Sequence, residues 1–320
     1  MDSYGFNKIF RVKNHNYSIR CRHQKNLSRN AAILVALFVT FLWSTSFIII
    51  KWGLKEIPPL TYAGLRYVIA FFCLLPFAFH KEKIREIKSI SRKDFLRITA
   101  LGLLFYTFTQ GTQFLGLSLL PSVTVSLLLN FTPLVVAVMG VFILSERPTI
   151  LQWGGALLFI AGILTYFFPI ELSENQTTGI FVMLIGVLAN SGSAVLGRSI
   201  NREGKFSAIT ITVISMGIGS IIILISGVIF QGIPVISFTT VIYLLWLAVV
   251  NTALAFTLWN LTLQKLTAME SSIINGTMLI QIALLAWIFL GESITIKEGI
   301  GMLVAAVGAV LVQLKRKKNL

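Results

Sequence analysis

Residues 120–162 read LPSVTVSLLLNFTPLVVAVMGVFILSERPTILQWGGALLFIAG, and residues 266–308 read LTAMESSIINGTMLIQIALLAWIFLGESITIKEGIGMLVAAVG. At a constant offset of 146 and without a gap, Leu120 meets Leu266, Ser126 meets Ser272, Leu144 meets Leu290 and Glu146 meets Glu292. Thr149 meets Thr295, Ile150 meets Ile296, Gly155 meets Gly301 and Gly162 meets Gly308. Further towards the N-terminus, Ser44, Ser46 and Lys51 meet Ser191, Ser193 and Arg198 at an offset of 147. The chain is therefore an internal duplication, and a repeat this long decides the architecture of everything around it.

Apolar runs divided by Pro, Gly and charge give five spans in each copy. In the first half they are Ala31–Ile50, Pro59–Phe79, Phe95–Leu117, Val123–Leu144 and Ile150–Phe168. In the second they are Thr178–Leu196, Phe206–Phe230, Thr239–Leu261, Ser271–Leu290 and Ile296–Leu314. Each is close to the ~20 apolar residues that cross a hydrocarbon core. The expected fold is an all-α integral membrane protein of ten transmembrane helices. Five is odd, so the second copy lies upside down relative to the first, giving two inverted five-helix repeats at 31–169 and 178–314. Inverted repeats are the architecture of alternating-access carriers, with the solute site near the midplane between the halves.

Composition agrees. Of 320 residues, 56% are hydrophobic and 12% charged, against about 25% charged in a soluble chain. The net charge of +15 would suggest nucleic acid in a soluble protein, but its distribution points to membrane orientation instead. With the N-terminus in the cytoplasm, 23 of the 27 Lys and Arg fall on that side, in the tail 1–30, Lys81–Arg97, Arg147, 198–205, Lys265 and the tail 315–320. Only Lys51, Lys55 and Lys297 fall outside, and Arg66 lies within a span. A multi-pass cell-membrane protein with both termini cytoplasmic is the expectation, its partners lipids and a small solute rather than nucleic acid. The first 30 residues are charged throughout, without the apolar core of a signal peptide, so the first span is expected to remain as an anchor.

Trp43-Ser-Thr-Ser-Phe with Lys51, Pro58–Pro59 and Arg66-Tyr67 resembles the opening of an EamA repeat of the drug/metabolite transporter superfamily. Gly116-Leu117, Pro133-Leu134, Glu146, Gln152 and Gly155 resemble its close. The second half keeps Glu292 and Gly301, but Asn190-Ser-Gly-Ser stands where the tryptophan motif would be, and no arginine matches Arg66. The resemblance covers about residues 31 to 314. It implies a secondary carrier of small metabolites, often an exporter of amino acids. The alternative on the same fold is a lipid-linked flippase or a membrane scaffold without solute flux.

Polar side chains inside the spans are the candidate site. Tyr106, Gln110 and Gln113 recur at i, i+4 and i+7, one helical face, and their counterparts in the eighth span are Thr252, Phe256 and Trp259. Trp43 and Ser46 on the first span, and Asn190 and Ser193 on the sixth, are a second polar set. Asn130, just before Pro133, marks a loosened helix, and Asn275 lies at the corresponding depth of the ninth span. Arg66 is the candidate for a solute carboxylate or a gate; a structural bond to helix-end carbonyls or snorkelling to headgroups are the alternatives. Lys51 and Arg198, at span ends, are expected to snorkel. Glu146 and Glu292 are expected to cap the helix that follows each, and Glu270 is the candidate coupling carboxylate. The stripe Gly301, Ala305, Gly308, with Gly155 and Gly162, suits close packing within the bundle, with a homodimer face as the alternative.

His15, His23 and His80 lie outside the spans, so no intramembrane metal site or histidine base is expected. Phosphate-binding glycine loops are absent and no acid, base and nucleophile cluster together, so neither a cofactor nor an enzyme is expected.

Overall fold

The computed structural model describes residues 28–144, 149–168, 173–263, 265–266 and 274–313, and among them every regular element is helical. The first element, α1 (Arg29–Gly53), starts where Ser28 Oγ accepts from Ala31 N. Pro59 then opens α2 (Pro59–Ala78) at the first helical position, where its missing N–H costs nothing. A short amphipathic helix, α3 (Lys81–Lys88), crosses the basic loop. The third apolar stretch is α4 (Arg92–Gly102), a π-helical segment π1 (Leu103–Thr109) and α5 (Gln110–Leu119) in direct succession.

The fourth stretch is broken. It comprises α6 (Ser122–Leu129) and α7 (Thr132–Leu144). Pro133 has no N–H to offer the carbonyl four residues back, and at the break Asn130 Nδ2 donates to the Ser126 carbonyl at 2.8 Å. Then follow α8 (Ile150–Phe167) and α9 (Glu174–Arg202), each opened by a reciprocal capping box, Thr149 with Gln152 and Ser173 with Gln176. After α10 (Ala208–Gln231) come α11 (Phe238–Ala248), a second π segment π2 (Val249–Leu254) and α12 (Ala255–Leu263). The last elements are α13 (Met278–Leu290) and α14 (Ile296–Gln313). Among the described residues six helices are long and apolar enough to cross a bilayer, and Ser122–Val136 and Ile274–Leu290 are shorter apolar helices.

The repeat is legible in the packing. The π segments start at Leu103 and Val249, separated by the same offset that aligns the sequences. In each, a threonine hydroxyl donates to the carbonyl five residues earlier, Thr109 to Leu104 and Thr252 to Leu247, both at 2.8 Å. The halves also exchange partners: α1 packs on α12 and α13, while α9 packs on π1, α5 and α7. In the same way α2 packs on α10, and α8 on α14. The α8–α14 contact is made by the glycine stripe. A Cβ on Gly162 would stand 2.4 Å from the Ala305 backbone nitrogen, and one on Gly308 would stand 2.4 Å from the Phe159 nitrogen. The stripe is thus consumed within the chain.

The basic loops meet at one face, called here the basic face. Arg97 pairs with Glu203 at 2.7 Å, and Lys205 bridges Glu203 and Asp94 at 3.1 and 3.6 Å. Glu86 of α3 accepts from Ser207 N, from Ser207 Oγ at 3.0 Å and from Thr210 Oγ1 at 3.0 Å, capping α10 from outside. Burial disfavours the ionised form of Glu86, but its hydrogen bonds outweigh that and hold its pKa below 4.5. The Arg97 and Lys205 hydrogen bonds hold Glu203 below 4.5 as well. A carboxylate depressed on folding contributes stability above its unfolded pKa and loses it as pH falls through the folded value. Thermal stability in detergent should therefore hold from about pH 8 to 5 and decline below about pH 4.5. Combining Glu86→Gln with Glu203→Gln should flatten that acid limb in a melting series.

Candidate functional site

A cavity of about 670 Å³ lies between the halves, within the ~300–1,000 Å³ range of small-molecule sites. Its polar lining includes Ser46 from α1, Gln110 and Gln113 from α5, Asn130 at the α6–α7 break, Asn190 from α9 and Asn275 ahead of α13. Trp43 and Phe256 form an aromatic wall, their ring centroids 5.4 Å apart. Both halves contribute, as expected of a site on a pseudo-twofold axis.

Three candidates from the sequence lie elsewhere. Tyr106 is buried behind the lining residues Tyr67 and Phe105, packed edge-on against them at 5.5 and 4.9 Å. It belongs to π1, where i→i+5 bonding adds a residue to the turn, so the i, i+4, i+7 face does not continue through it. Trp259 stands behind the wall on Trp43, at 5.2 Å, rather than lining the cavity. Ser193 is buried with its hydroxyl donating to the Asn190 carbonyl at 2.7 Å. Glu270, like Glu146, lies outside the described residues.

Other lining residues escaped the sequence reading. Thr109, Ser126, Thr132 and Thr277 line the cavity. Thr132 Oγ1 accepts from Asn190 Nδ2 at 3.1 Å, fixing that amide at the wall. Threonine and serine in membrane helices usually satisfy themselves on the preceding turn, so they carry no distinct signal; Thr109 could have been found only by anticipating the π turn.

Arg66 lines the cavity and is 4% exposed. Its Nε donates to Thr252 Oγ1 at 3.1 Å, and its guanidinium carbon lies 5.2 Å from the Tyr67 ring centre and 6.0 Å from that of Phe114. It neither snorkels nor binds a helix-end carbonyl. The ion pairs among the described residues all lie on the basic face, so Arg66 is a buried cation at the cavity wall with no described anion beside it. Behind it, Asn251 of π2 is fully buried and donates to the Leu42 carbonyl and to Thr45 Oγ1, stitching π2 to α1.

The halves are tied together at the end remote from the basic face. Lys51 does not snorkel: its Nζ donates to the Leu120 carbonyl at 2.7 Å. Glu292 caps not the helix that follows it but α6 of the other half, accepting from Ser122 N at 2.9 Å and Val123 N at 3.4 Å. The following helix is capped instead by Thr295 with Glu298. Trp52 covers this end, against Tyr243 at 5.7 Å and Phe289 at 6.1 Å. Glu292→Gln should cost about 1 kcal/mol, the value of a charged cap, read as a fall of about 2 °C in melting temperature. A melt identical to that of the unmodified protein would show that the cap is energetically idle.

Among the described residues no group of three or more His, Cys, Asp or Glu side chains could hold a metal ion. The arrangement offers amide and hydroxyl hydrogen bonds, an aromatic face and one fixed cation. Such groups suit a small polar molecule.

A sequence model of the EamA-like transporter family matches residues 30–168 and again 177–314. The Bacillus subtilis protein YoaV, named as an uncharacterized transporter, is 25% identical over 283 residues, covering 86% of this chain and 94% of that one. A Salmonella typhimurium protein named as a probable amino-acid metabolite efflux pump is 27% identical over 301 residues, covering 89% and 93%. One crystal structure superposes with a TM-score of 0.63 at 16% identity, over 89% of this chain and 98% of its own. At that identity the likeness concerns the fold alone.

Proposed function

Since the chain belongs to the EamA-like transporter family, we propose that it is a secondary carrier that exports an amino acid or related carboxylate across the cell membrane by alternating access. The observation that carries this reading is Arg66, buried at the cavity wall with no anion beside it among the described residues. Desolvating a guanidinium costs several kcal/mol unless something compensates. An arriving carboxylate compensates when the carrier is loaded, and its departure restores the cost. The neighbouring amides and the Trp43–Phe256 wall suit the remainder of such a solute. The name of the Salmonella typhimurium relative supports the same cargo class.

In this reading the basic face is cytoplasmic, as the charge bias favours, and both termini lie inside. The end tied by Lys51, Glu292 and Trp52 is then external. With no acid, base and nucleophile gathered at the cavity among the described residues, we assign no catalytic role to the chain and no cofactor, and we expect no nucleic-acid partner.

A second reading has one observation in its favour. Ile280, Leu303 and Val307 line the cavity and are also 46%, 57% and 52% exposed, so one apolar flank borders the lipid. A lipid-linked flippase would use such a flank for its tail. Reconstitution separates the two. Proteoliposomes preloaded with unlabelled amino acids should take up labelled ones by counterflow, saturably and well above empty vesicles. Counterflow absent for every amino acid, together with scrambling of a fluorescent lipid, would overturn the carrier reading in favour of the flippase.

A further inference from the structure

We propose that Thr252 is the positioning residue that makes the cavity select a free carboxylate, by holding Arg66 through Nε so that Nη1 and Nη2 remain for the solute. The inference rests on the carrier reading and goes further, because it names the group recognised and the residue that enforces the choice.

The geometry begins in π2. The Thr252 hydroxyl donates its one hydrogen to the Leu247 carbonyl at 2.8 Å. Its lone pairs are then left to accept, and Arg66 Nε supplies the hydrogen at 3.1 Å. The polarity of this relay is fixed, since arginine has no acceptor. Tyr67 and Phe114 flank the guanidinium and limit its rotation. Among the described residues Nη1 and Nη2 have no partner, and Arg66 lines the cavity. Two parallel N–H groups match the two oxygens of a carboxylate in a fork. A carboxamide offers one oxygen and then turns its own N–H donors towards those of arginine, so it is rejected.

The bond also joins the halves, because Arg66 and Thr252 are 186 residues apart. Selectivity is therefore built across the interface that alternating access must rework. The opposite half has no equivalent: the positions aligned with Arg66 at offsets of 146 and 147 are Thr212 and Val213. The carboxylate thus has a single seat, and the solute a single orientation.

The test uses full-length protein in proteoliposomes, with leucine, phenylalanine and methionine each compared with its own carboxamide as competitor of counterflow. Thr252→Val keeps the shape of the side chain and removes the hydroxyl. It should raise the KM for the acids about tenfold with little change in maximal rate, and lower the acid-over-amide preference by a similar factor. Thr252→Ser keeps the hydroxyl and should restore both to within about twofold. A purely structural role for Thr252 would lower the amount of active carrier without moving the preference ratio. If the unmodified protein carries acids and Thr252→Val leaves that ratio unchanged, the positioning role is overturned and the carrier reading stands. If the unmodified protein carries none of the acids, both fall.

Discussion

Arg66→Met should abolish transport of carboxylate solutes while leaving the protein folded and more resistant to heat. The two effects have one cause. Arg66 is 4% exposed with a single hydrogen bond, to Thr252, so it carries a desolvation cost that no described anion offsets. Replacing an uncompensated buried charge with an apolar side chain of similar length removes that cost, and even a buried ion pair, whose charges offset each other, is often replaced by apolar side chains at no loss or with a gain of about 1–4 kcal/mol. A rise of about 2–4 °C in melting temperature is the expected reading for a chain of this size. The same change deletes the only cation that lines the cavity among the described residues. Removing one member of a buried charge pair costs at least about 2 kcal/mol of binding, or about thirtyfold in affinity. Counterflow and a melting curve on one preparation check both. Loss of transport together with a lower melting temperature would mean that Arg66 supports the fold rather than the solute.

Gly308→Val should prevent the protein from folding to a single species. A Cβ at this position would stand 2.4 Å from the Phe159 nitrogen and 2.7 Å from the Gly155 carbonyl oxygen. Both are backbone atoms of α8, so no rotamer change relieves the clash and the helices must separate. Overpacking a close contact costs about 1–3 kcal/mol when side chains can adjust, and here backbone must move instead. Size-exclusion chromatography should show aggregate in place of a symmetric peak. Gly154→Ala serves as the control: nothing lies within 4 Å of a Cβ there, and its elution and melt should match the unmodified protein. A well-behaved Gly308→Val would mean that α8 and α14 do not meet as described.

These two sites differ in how far the sequence announced them. The glycine stripe was visible because small residues recur at helical spacing in both copies, and the offset aligned Gly155 with Gly301 and Gly162 with Gly308. Arg66 was visible because a charge within an apolar span demands a reason. Its partner was not, since nothing local links Thr252 to α2. Lys51 and Glu292 were misjudged for the same reason: each sits at a helix end, where solvent or the adjoining helix is the default partner, yet their hydrogen bonds run to residues 120 and 122–123 in tertiary contact. Tyr106 and Trp259 lie off the cavity lining for other reasons. Trp259 follows Phe256 in regular helix and is drawn onto the Trp43 ring. Helical periodicity assumes 3.6 residues per turn, and π1, within which Tyr106 lies, breaks that count. The duplication could have warned of this only once one of the two π segments was known.

The central claim is that the cavity between the halves opens alternately to the two faces of the membrane. It is tested most directly by Ser126→Cys in a background where Cys21 and Cys73 are serine. Ser126 lines the cavity, is otherwise buried and has a hydroxyl close in size to a thiol. The protein is reconstituted and treated from one side at a time with a membrane-impermeant thiol reagent. Labelling should occur from either side, and each rate should change when a transported amino acid is present. Labelling from one side alone, at a rate no solute alters, would describe a fixed vestibule and contradict the account.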